Sequence, residues 1–436
     1  MSETIGTTTP AKGGAYRKYV LTLLMVVYVF NFIDRQILVI LQESIKADMG
    51  LSDSQLALLS GFSFAIFYVT CGIPIARWAD RANRVNIITA SLTVWSLMTA
   101  LCGMVSGFSQ LLMARIGVGI GEAGASPPSH SIISDYFPFE SRGRALSIYS
   151  MGIYIGILLG FLVGGWINQY FGWRVAFLVV GLPGVLLAVV VRMTLKEPIR
   201  GMSDSAPPSE SEQGHMFLAV RQLWSIRSFR YASLGAAFNA FVGYGGLNFM
   251  PSFVIRLHQM PVGQVGTYLA LVVGFGGAIG AYAGGQISDR LGRRDARWYY
   301  WVPALGTLFA AVFMPIVILT ESLDLVWAIF FINNVSLALF LAPTIAMAHN
   351  LVGPKRRALA SAMIYFVLNI IGLGLGPLTV GIISDLLMPS TGTESLRWAL
   401  LIVSQFALLG AGFYFLAARH LQPTLQESAY RRLKNQ

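Results

Sequence analysis

Charged side chains are scarce in this chain. Only 12% of its 436 residues are Asp, Glu, Lys or Arg, while 55% are hydrophobic, whereas about a quarter of a soluble domain's residues are charged. Cysteine is nearly absent as well. Cys71 and Cys102 both fall inside hydrophobic runs, which favours small buried thiols over a disulfide. The shortage of charge excludes an ordinary soluble domain and predicts a protein whose solvent is lipid.

Motifs for catalysis and metal binding are also missing. The sequence has no G-x-x-x-x-G-K-S/T phosphate loop, no H-E-x-x-H pair and no zinc-type group of Cys and His. Gly117, Gly119 and Gly121 imitate a dinucleotide fingerprint, but they lie in a hydrophobic run with no strand before them. His130 and His349 are interpreted as packing histidines. We therefore expect no enzyme, no cofactor, no metal and no transport driven by ATP hydrolysis within the chain.

Hydrophobic runs of membrane-spanning length fill most of the chain. A bilayer core of about 30 Å needs about 20 helical residues to cross it. The polar breaks leave twelve such runs, at 18–42, 54–78, 85–106, 108–134, 143–169, 173–194, 228–256, 264–288, 297–320, 324–350, 357–387 and 395–419. The first run is too long for a signal peptide and lacks a cleavage site, so it is predicted to be a retained helix. The predicted fold class is an all-α membrane protein with twelve transmembrane helices in two six-helix halves.

The basic residues indicate the orientation. A formal net charge of +11 can suit a nucleic-acid partner, but here the Lys and Arg residues concentrate in the loops on one side of the predicted membrane. With both termini in the cytoplasm, the outer loops keep only Lys46, Arg174, Arg256 and Arg397. The positive-inside rule therefore predicts cytoplasmic termini in the inner or plasma membrane, and we expect no nucleic-acid partner.

The chain has a duplicated organisation. A polar tract rich in Ser, Pro and Glu separates six predicted spans from six, and such a tract cannot bury enough apolar surface to fold alone. The sequence thus predicts an N-terminal half at 1–194, a cytoplasmic linker at 195–227 and a C-terminal half with a cytoplasmic tail at 228–436. A short surface helix is expected at 217–224, within the linker.

A charged signature occurs once in each half. The second copy, from Gly285 to Arg294, fits the pattern G-x-x-x-D-R-x-G-R-R of the major facilitator superfamily, which the chain resembles over nearly its whole length. The first copy has Ala76 and Asn83 where the pattern has glycines, so its turn must be made differently. The resemblance implies two halves that rock around a site near mid-membrane. It also implies a cytoplasmic gate formed by Asp80, Arg81, Arg84, Asp289, Arg290 and Arg293.

Four ionisable residues fall inside the predicted spans, where charge is costly unless it faces a cavity or a partner. Asp34 and Arg35 lie in the first span, and Arg115 and Glu122 lie in the fourth. A rise of 1.5 Å per residue puts Arg115 at the depth of Asp34 and Arg35, with Glu122 a step deeper. We predict that Asp34 is the principal proton-coupling carboxylate and that Glu122 is its rival. The alternative is a static cluster that only joins the two helices.

The C-terminal spans offer aromatic rings and amides instead of charge. A cavity between two such halves suits an amphipathic anion whose head meets an arginine while its tail lies along apolar walls. The predicted substrate-binding residues are Arg35, Arg115, Asn31, Phe238, Tyr244, Asn248, Tyr365 and Asn369.

Two strings narrow the resemblance. Asn31-Phe-Ile-Asp-Arg35 and Arg115-Ile-Gly-Val-Gly-Ile-Gly-Glu122 are similar to the spinster family of the superfamily, which includes exporters of sphingosine 1-phosphate and lysophospholipids. The resemblance implies a proton-coupled secondary transporter of an amphipathic anionic lipid, acting as a monomer among membrane lipids. A multidrug or organic-anion transporter of the same superfamily and a non-transporting membrane sensor are the alternatives.

Overall fold

Helices form nearly all of the described chain. The computed structural model describes residues 14–202, 216–352 and 356–422, and no strand occurs in these three ranges. The α-helices are α1 (Gly14–Met49), α2 (Asp53–Ala57), α3 (Ser63–Ala79), α4 (Arg84–Cys102), α5 (Phe108–Glu122), α6 (Ser126–Tyr136), α7 (Phe139–Phe171), α8 (Trp173–Thr194), α9 (Met216–Ser225), α10 (Arg227–His258), α11 (Val262–Gly292), α12 (Trp298–Leu319), α13 (Leu323–Ala338), α14 (Leu341–Leu351), α15 (Arg357–Val367), α16 (Gly376–Thr391), α17 (Ser395–Ser404) and α18 (Phe406–Arg419). The predicted all-α fold is confirmed.

The number of membrane spans is less clear from the structure than the all-α fold. Nine helical stretches in the described ranges are long and apolar enough to cross a membrane, and one of them, Leu359–Arg419, has 61 residues and holds more than one helix. The 32-residue α10 and the α5–α6 stretch are not among the nine. In α5, Arg115 and Glu122 interrupt the apolar sequence. The count of twelve therefore stays a prediction.

The helices pack as two bundles. Helices α1 to α8 contact one another most extensively through the pairs α1–α7 and α4–α8, and α10 to α18 do so through α10–α18 and α12–α18. Between the bundles the main contacts are α7–α11, α1–α10 and α2–α16. We call the two groups the N-terminal and C-terminal bundles. The predicted surface helix corresponds to α9, which packs on α10 and α15, while 203–215 lie outside the described residues. The domain boundaries at 194 and 228 stay predictions.

The hydrophobic cores show where the bundles meet. We call the end at which α1 begins the terminal side and the end at which it finishes the far side. One core crosses both bundles toward the far side, joining Val39 and Phe161 to Phe253 and Val265. Toward the terminal side there are two further cores, one almost wholly in the N-terminal bundle, with Leu373 as its one buried member from the other bundle, and one in the C-terminal bundle. The bundles are thus packed together at the far side.

The first charged signature makes its turn without a glycine. Asn83 is extended (φ −70°, ψ 115°) and caps α4, because its side-chain oxygen accepts a hydrogen bond of 3.0 Å from the Asn86 amide. Asn is among the best N-cap residues for this reason. The next residue, Arg84, starts α4 and is only 1% exposed.

The second signature does use its glycine. A Cβ atom at Gly292 would overlap the ring of Tyr299. Because that space is free, Tyr299 folds back and its hydroxyl donates a 2.8 Å hydrogen bond to Asp289.

Candidate functional site

A small cavity lies between the two bundles. Its volume is about 30 Å³, which is room for about two water molecules. The lining residues of the N-terminal bundle include Phe32, Arg35, Gln36, Ser60, Phe64 and Arg115, and those of the C-terminal bundle are Tyr244, Leu247, Asn248 and Leu373. Four predicted substrate residues, Arg35, Arg115, Tyr244 and Asn248, therefore share one cavity.

Two irregular segments shape this cavity. Residues Leu58–Phe62, between α2 and α3, and Leu368–Leu375, between α15 and α16, are π-helical. They belong to opposite bundles and touch, since a Cβ atom at Gly61 would lie 2.7 Å from the carbonyl oxygen of Leu373. π-Helical turns are rare and frequently mark functional sites.

Arg35 is held from two directions. Its Nε donates a 2.7 Å hydrogen bond to Oε2 of Glu122, whose side chain is fully buried. Its guanidinium carbon lies 4.9, 4.9 and 4.8 Å from the ring centres of Phe32, Phe64 and Tyr68. Ion pairing and cation–π attraction both favour the charged form in a desolvated place. Arg35 is therefore committed to partners within its own bundle.

Arg115 is a buried cation without an acidic partner. It is 1% exposed, and it donates only long hydrogen bonds, of 3.5 Å to the Leu59 carbonyl and 3.4 Å to the Asp34 carbonyl. No carboxylate among the described residues lies within ion-pair distance of it. A guanidinium that faces a cavity and lacks a carboxylate is suited to receive an anion.

Asp34 points away from the cavity. Successive helical residues differ by about 100° around the axis, so Arg35 can line the cavity while the Asp34 carboxyl faces Thr99 and Trp95 of α4, inside the N-terminal bundle. Asp34 is 1% exposed, and its Oδ1 has no hydrogen-bond partner. We call Asp34, Arg35, Arg115 and Glu122 the inner cluster.

The other predicted substrate residues are not among those that line the cavity. Asn31 is buried beside Glu122. Phe238 stacks on Phe413 with ring centres 5.6 Å apart, within the C-terminal bundle. Tyr365 is 42% exposed, and its carbonyl accepts a 2.8 Å hydrogen bond from Asn369. The roles of these residues stay predictions.

The predicted gate residues belong to separate bundles here. Across the described ranges, no hydrogen bond or ion pair joins either signature to the opposite bundle. The exposed members are Asp80, Arg81, Asp289, Arg290 and Arg293. Arg84 is instead buried, 2.5 Å from Asp135 and 2.6 Å from Glu197, so it fixes the start of the predicted linker to the N-terminal bundle.

A second charge network joins the bundles at the far side. Arg256 of α10 binds Glu43 of α1 at 2.6 and 2.9 Å and Asp53 of α2 at 2.6 and 2.8 Å. Lys46 approaches Asp53 to 2.5 Å. From α16, Ser384 donates to Asp53 at 2.6 Å, and Asp385 accepts the backbone amides of Asp53 and Ser54 at 2.9 Å each. We call the set Glu43, Lys46, Asp53, Arg256, Ser384 and Asp385 the far-side latch.

Sequence reasoning did not assign this latch. The signal was available, because Lys46 and Arg256 are two of the few basic residues on the predicted outer side. Nothing in the sequence, however, indicates which acids they meet. A second seam at the same end joins α7 to α11, where Trp166 donates to Thr267 and Gln169 accepts from the Gly263 amide, both at 2.9 Å.

Known proteins place the chain in a family. Residues 24–377 match the family model of the Major Facilitator Superfamily. The chain belongs to this superfamily. It is 34% identical over 411 residues to an MFS-type efflux pump of Mycolicibacterium smegmatis, covering 93% of this chain and 94% of that protein. It is 28% identical over 438 residues to Protein spinster homolog 1 of Xenopus tropicalis, covering 94% of this chain and 82% of that protein.

A solved structure agrees with this family. The crystal structure of a bacterial homolog to the human lysosomal transporter spinster, in an inward-facing and unoccupied conformation, superposes with a TM-score of 0.87 at 34% identity and covers 94% of this chain and 99% of that one. The predicted resemblance to spinster proteins is confirmed. As a member of the major facilitator superfamily, the protein is a multi-pass membrane transporter and not an enzyme.

Proposed function

We propose that this transporter moves an amphipathic anion with a lipid-like tail, of the lysophospholipid or sphingoid-phosphate kind, and couples that movement to protons. The observation that carries the proposal is the buried Arg115, which faces the inter-bundle cavity without a carboxylate partner. An anionic headgroup supplies the missing charge. Tyr244 and Asn248, in the opposite wall, are placed to contact the same headgroup.

Coupling is proposed to run through the inner cluster. Asp34 alternates between a carboxylate and a neutral acid. As a carboxylate it attracts Arg115, and as an acid it frees Arg115 for the substrate. Glu122 holds Arg35 at 2.7 Å throughout this exchange. Proton and substrate then depend on a single shared cation.

The orientation and working cycle complete the proposal. We place both termini in the cytoplasm of a cell with the protein in its inner or plasma membrane, acting as a monomer. The described conformation then has its latch closed toward the outside. When the latch opens, the two signatures are proposed to approach and form the cytoplasmic gate, with Asp80 and Asp289 as its acids.

A second candidate is a broad efflux transporter of organic anions or drugs. The three rings around Arg35 favour it, since aromatic walls accept many apolar molecules, and the similar mycobacterial protein is an efflux pump. Counterflow in proteoliposomes separates the candidates. A panel of lysophospholipids, sphingoid phosphates, drugs and sugar phosphates is compared with and without a pH gradient. Preference for anionic lipids supports the proposal, and equal flux of uncharged drugs supports the second candidate.

A further inference from the structure

Gln42 is a buried amide without partners. It is 0% exposed, and neither its side-chain oxygen nor its nitrogen has a hydrogen bond. Buried polar groups are nearly always satisfied, and ordered water is the usual partner where protein offers none. Water bound to Gln42 would lie between the inner cluster and the far-side latch.

The helix places Gln42 between two charged groups. Helix α1 is continuous and contains no proline. At 3.6 residues per turn, Gln42 lies within about 20° of Arg35 and about 40° of Lys46 around the axis. It stands about 10 Å from Arg35 and about 6 Å from Lys46 along that axis. One stripe of α1 therefore runs from Arg35 of the inner cluster, past the buried apolar Val39, through Gln42 to the far-side latch.

The inner end of the stripe has more unsatisfied polar atoms. Both amide atoms of Asn31, Oδ1 of Asp34 and Oε1 of Glu122 are buried without hydrogen bonds. At the outer end, Glu43 and Lys46 keep partly exposed side chains, 17% and 25%. The stripe thus begins near water and ends at Arg35 and its partner Glu122, with the Asp34 carboxyl on the adjoining face of α1.

We propose that Gln42 orients a short chain of water molecules that carries protons from the far-side latch to the inner cluster. The amide oxygen accepts from one water and the amide nitrogen donates to the next. A proton then moves by exchange between neighbouring waters and ends on the carboxylate of Asp34, while Glu122 stays paired with Arg35. No bond of Gln42 breaks, so its role is positioning. This rests on the proton coupling in the proposed function.

Charged and titratable groups of several packed helices lie along this path. They are Asp34, Arg35, Glu43 and Lys46 of α1, Asp53 of α2, Cys102 of α4, Arg115 and Glu122 of α5, Arg174 of α8, Arg256 of α10 and Asp385 of α16. The latch closes the far side to a substrate, whereas single waters need little space. Protons and substrate would therefore reach the inner cluster from opposite sides.

The test compares proton flux with substrate exchange in proteoliposomes of uniform orientation. Gln42→Met keeps the side chain's length without its polar atoms, and Gln42→Asn keeps an amide and leaves room for one more water. Ser44→Ala is the control, because Ser44 lies at the same depth on another face of α1 and bonds to Asn168 at 2.8 Å. We expect Gln42→Met to slow substrate-linked proton uptake from the far side at least tenfold, to leave counterflow within about twofold of wild type, and to be restored by Gln42→Asn.

Each result decides the matter. Unchanged proton uptake in Gln42→Met contradicts the water path. Loss of both uptake and counterflow in Gln42→Met, with no recovery of proton uptake in a folded Gln42→Asn protein, also contradicts it. A comparable loss in Ser44→Ala contradicts it too, because the effect is then not specific to this stripe. If wild-type counterflow is normal but no pH gradient affects transport, proton coupling itself is rejected and the water path with it.

Discussion

Arg256 of α10 reaches across the bundle interface to Asp53 of α2, with contacts of 2.6 and 2.8 Å. The same guanidinium binds Glu43, so one side chain joins α10 to two helices of the other bundle. Charge-assisted bidentate contacts are stronger and more directional than neutral hydrogen bonds. Opening at the far side has to break all of them.

The first prediction concerns this latch. Arg256→Gln should shift the population toward the conformation that is open at the far side, because Glu43 and Asp53 lose the cation from the opposite bundle, and the remaining contact of Asp53 with Lys46 stays within one bundle. Breaking charge-assisted bonds worth about 1.5–3 kcal/mol each should change the conformational ratio by about tenfold or more. Distances between spin labels on α2 and α16 at the far side would measure this. Arg174→Gln is the control, since its 2.6 Å pair with Asp48 stays within one bundle. A similar shift in both variants would remove the special role of Arg256.

The second prediction concerns the proton carrier. Asp34→Asn should abolish transport driven by a pH gradient and retain ligand binding, because an amide neither takes up nor releases a proton in this range. The Asn side chain preserves the size of a group that is 1% exposed. Glu122→Gln, at the 2.7 Å pair with Arg35, should instead slow conformational exchange. Full gradient-driven flux in Asp34→Asn would reject Asp34 as the carrier, and full flux in Glu122→Gln as well would make the inner cluster a structural pairing.

The third prediction concerns the headgroup. Arg115→Ala should weaken binding of anionic ligands by about 10- to 100-fold, which corresponds to the loss of a charge-assisted contact of about 1.5–3 kcal/mol. Arg115→Lys should recover part of that affinity, because it restores the charge without the planar fork. Binding of an uncharged analogue of the same tail length serves as the control. Equal losses for the charged and uncharged ligands would mean that Arg115 only supports the fold of the cavity.

The fourth prediction concerns the proposed cytoplasmic gate. Asp80 is exposed and unbridged in the described conformation, so Asp80→Asn should leave this state intact and destabilise the opposite one. The population should move toward the state closed at the far side, as measured by distances across the terminal side. Asp295→Asn provides a matched control, because Asp295 pairs locally with Arg297 at 2.7 Å. No shift in Asp80→Asn would refute the gate assignment.

Much of the fold could be predicted because lipid imposes simple rules. Long apolar runs have to be helices, and a charge such as Arg115 inside one must face a cavity or a partner. The inner cluster follows from helix rise alone. Helix rise gives the depth of a residue but not the neighbouring helix that its side chain faces. The sequence therefore did not distinguish Asp34, which faces α4, from Arg35, which faces the cavity.

Contacts between segments that are distant in the chain could not be predicted from the sequence. Arg84 resembles its exposed neighbours in the sequence, but Asp135 and Glu197 bury it. In the sequence, Arg256 is only one of the few basic residues on the predicted outer side. The structure shows that it binds acids on two other helices. Such pairings join residues 51, 113 and 203 positions apart, and no local pattern encodes them.

Transport by the purified protein in proteoliposomes tests the central claim most directly. Counterflow of a lysophospholipid or sphingoid phosphate is followed with and without a pH gradient, in wild type and in Arg115→Ala. The account predicts flux of the anionic lipid that the gradient accelerates and that Arg115→Ala reduces. Binding of the lipid without any flux in wild type, or flux that ignores both the gradient and Arg115, would contradict it.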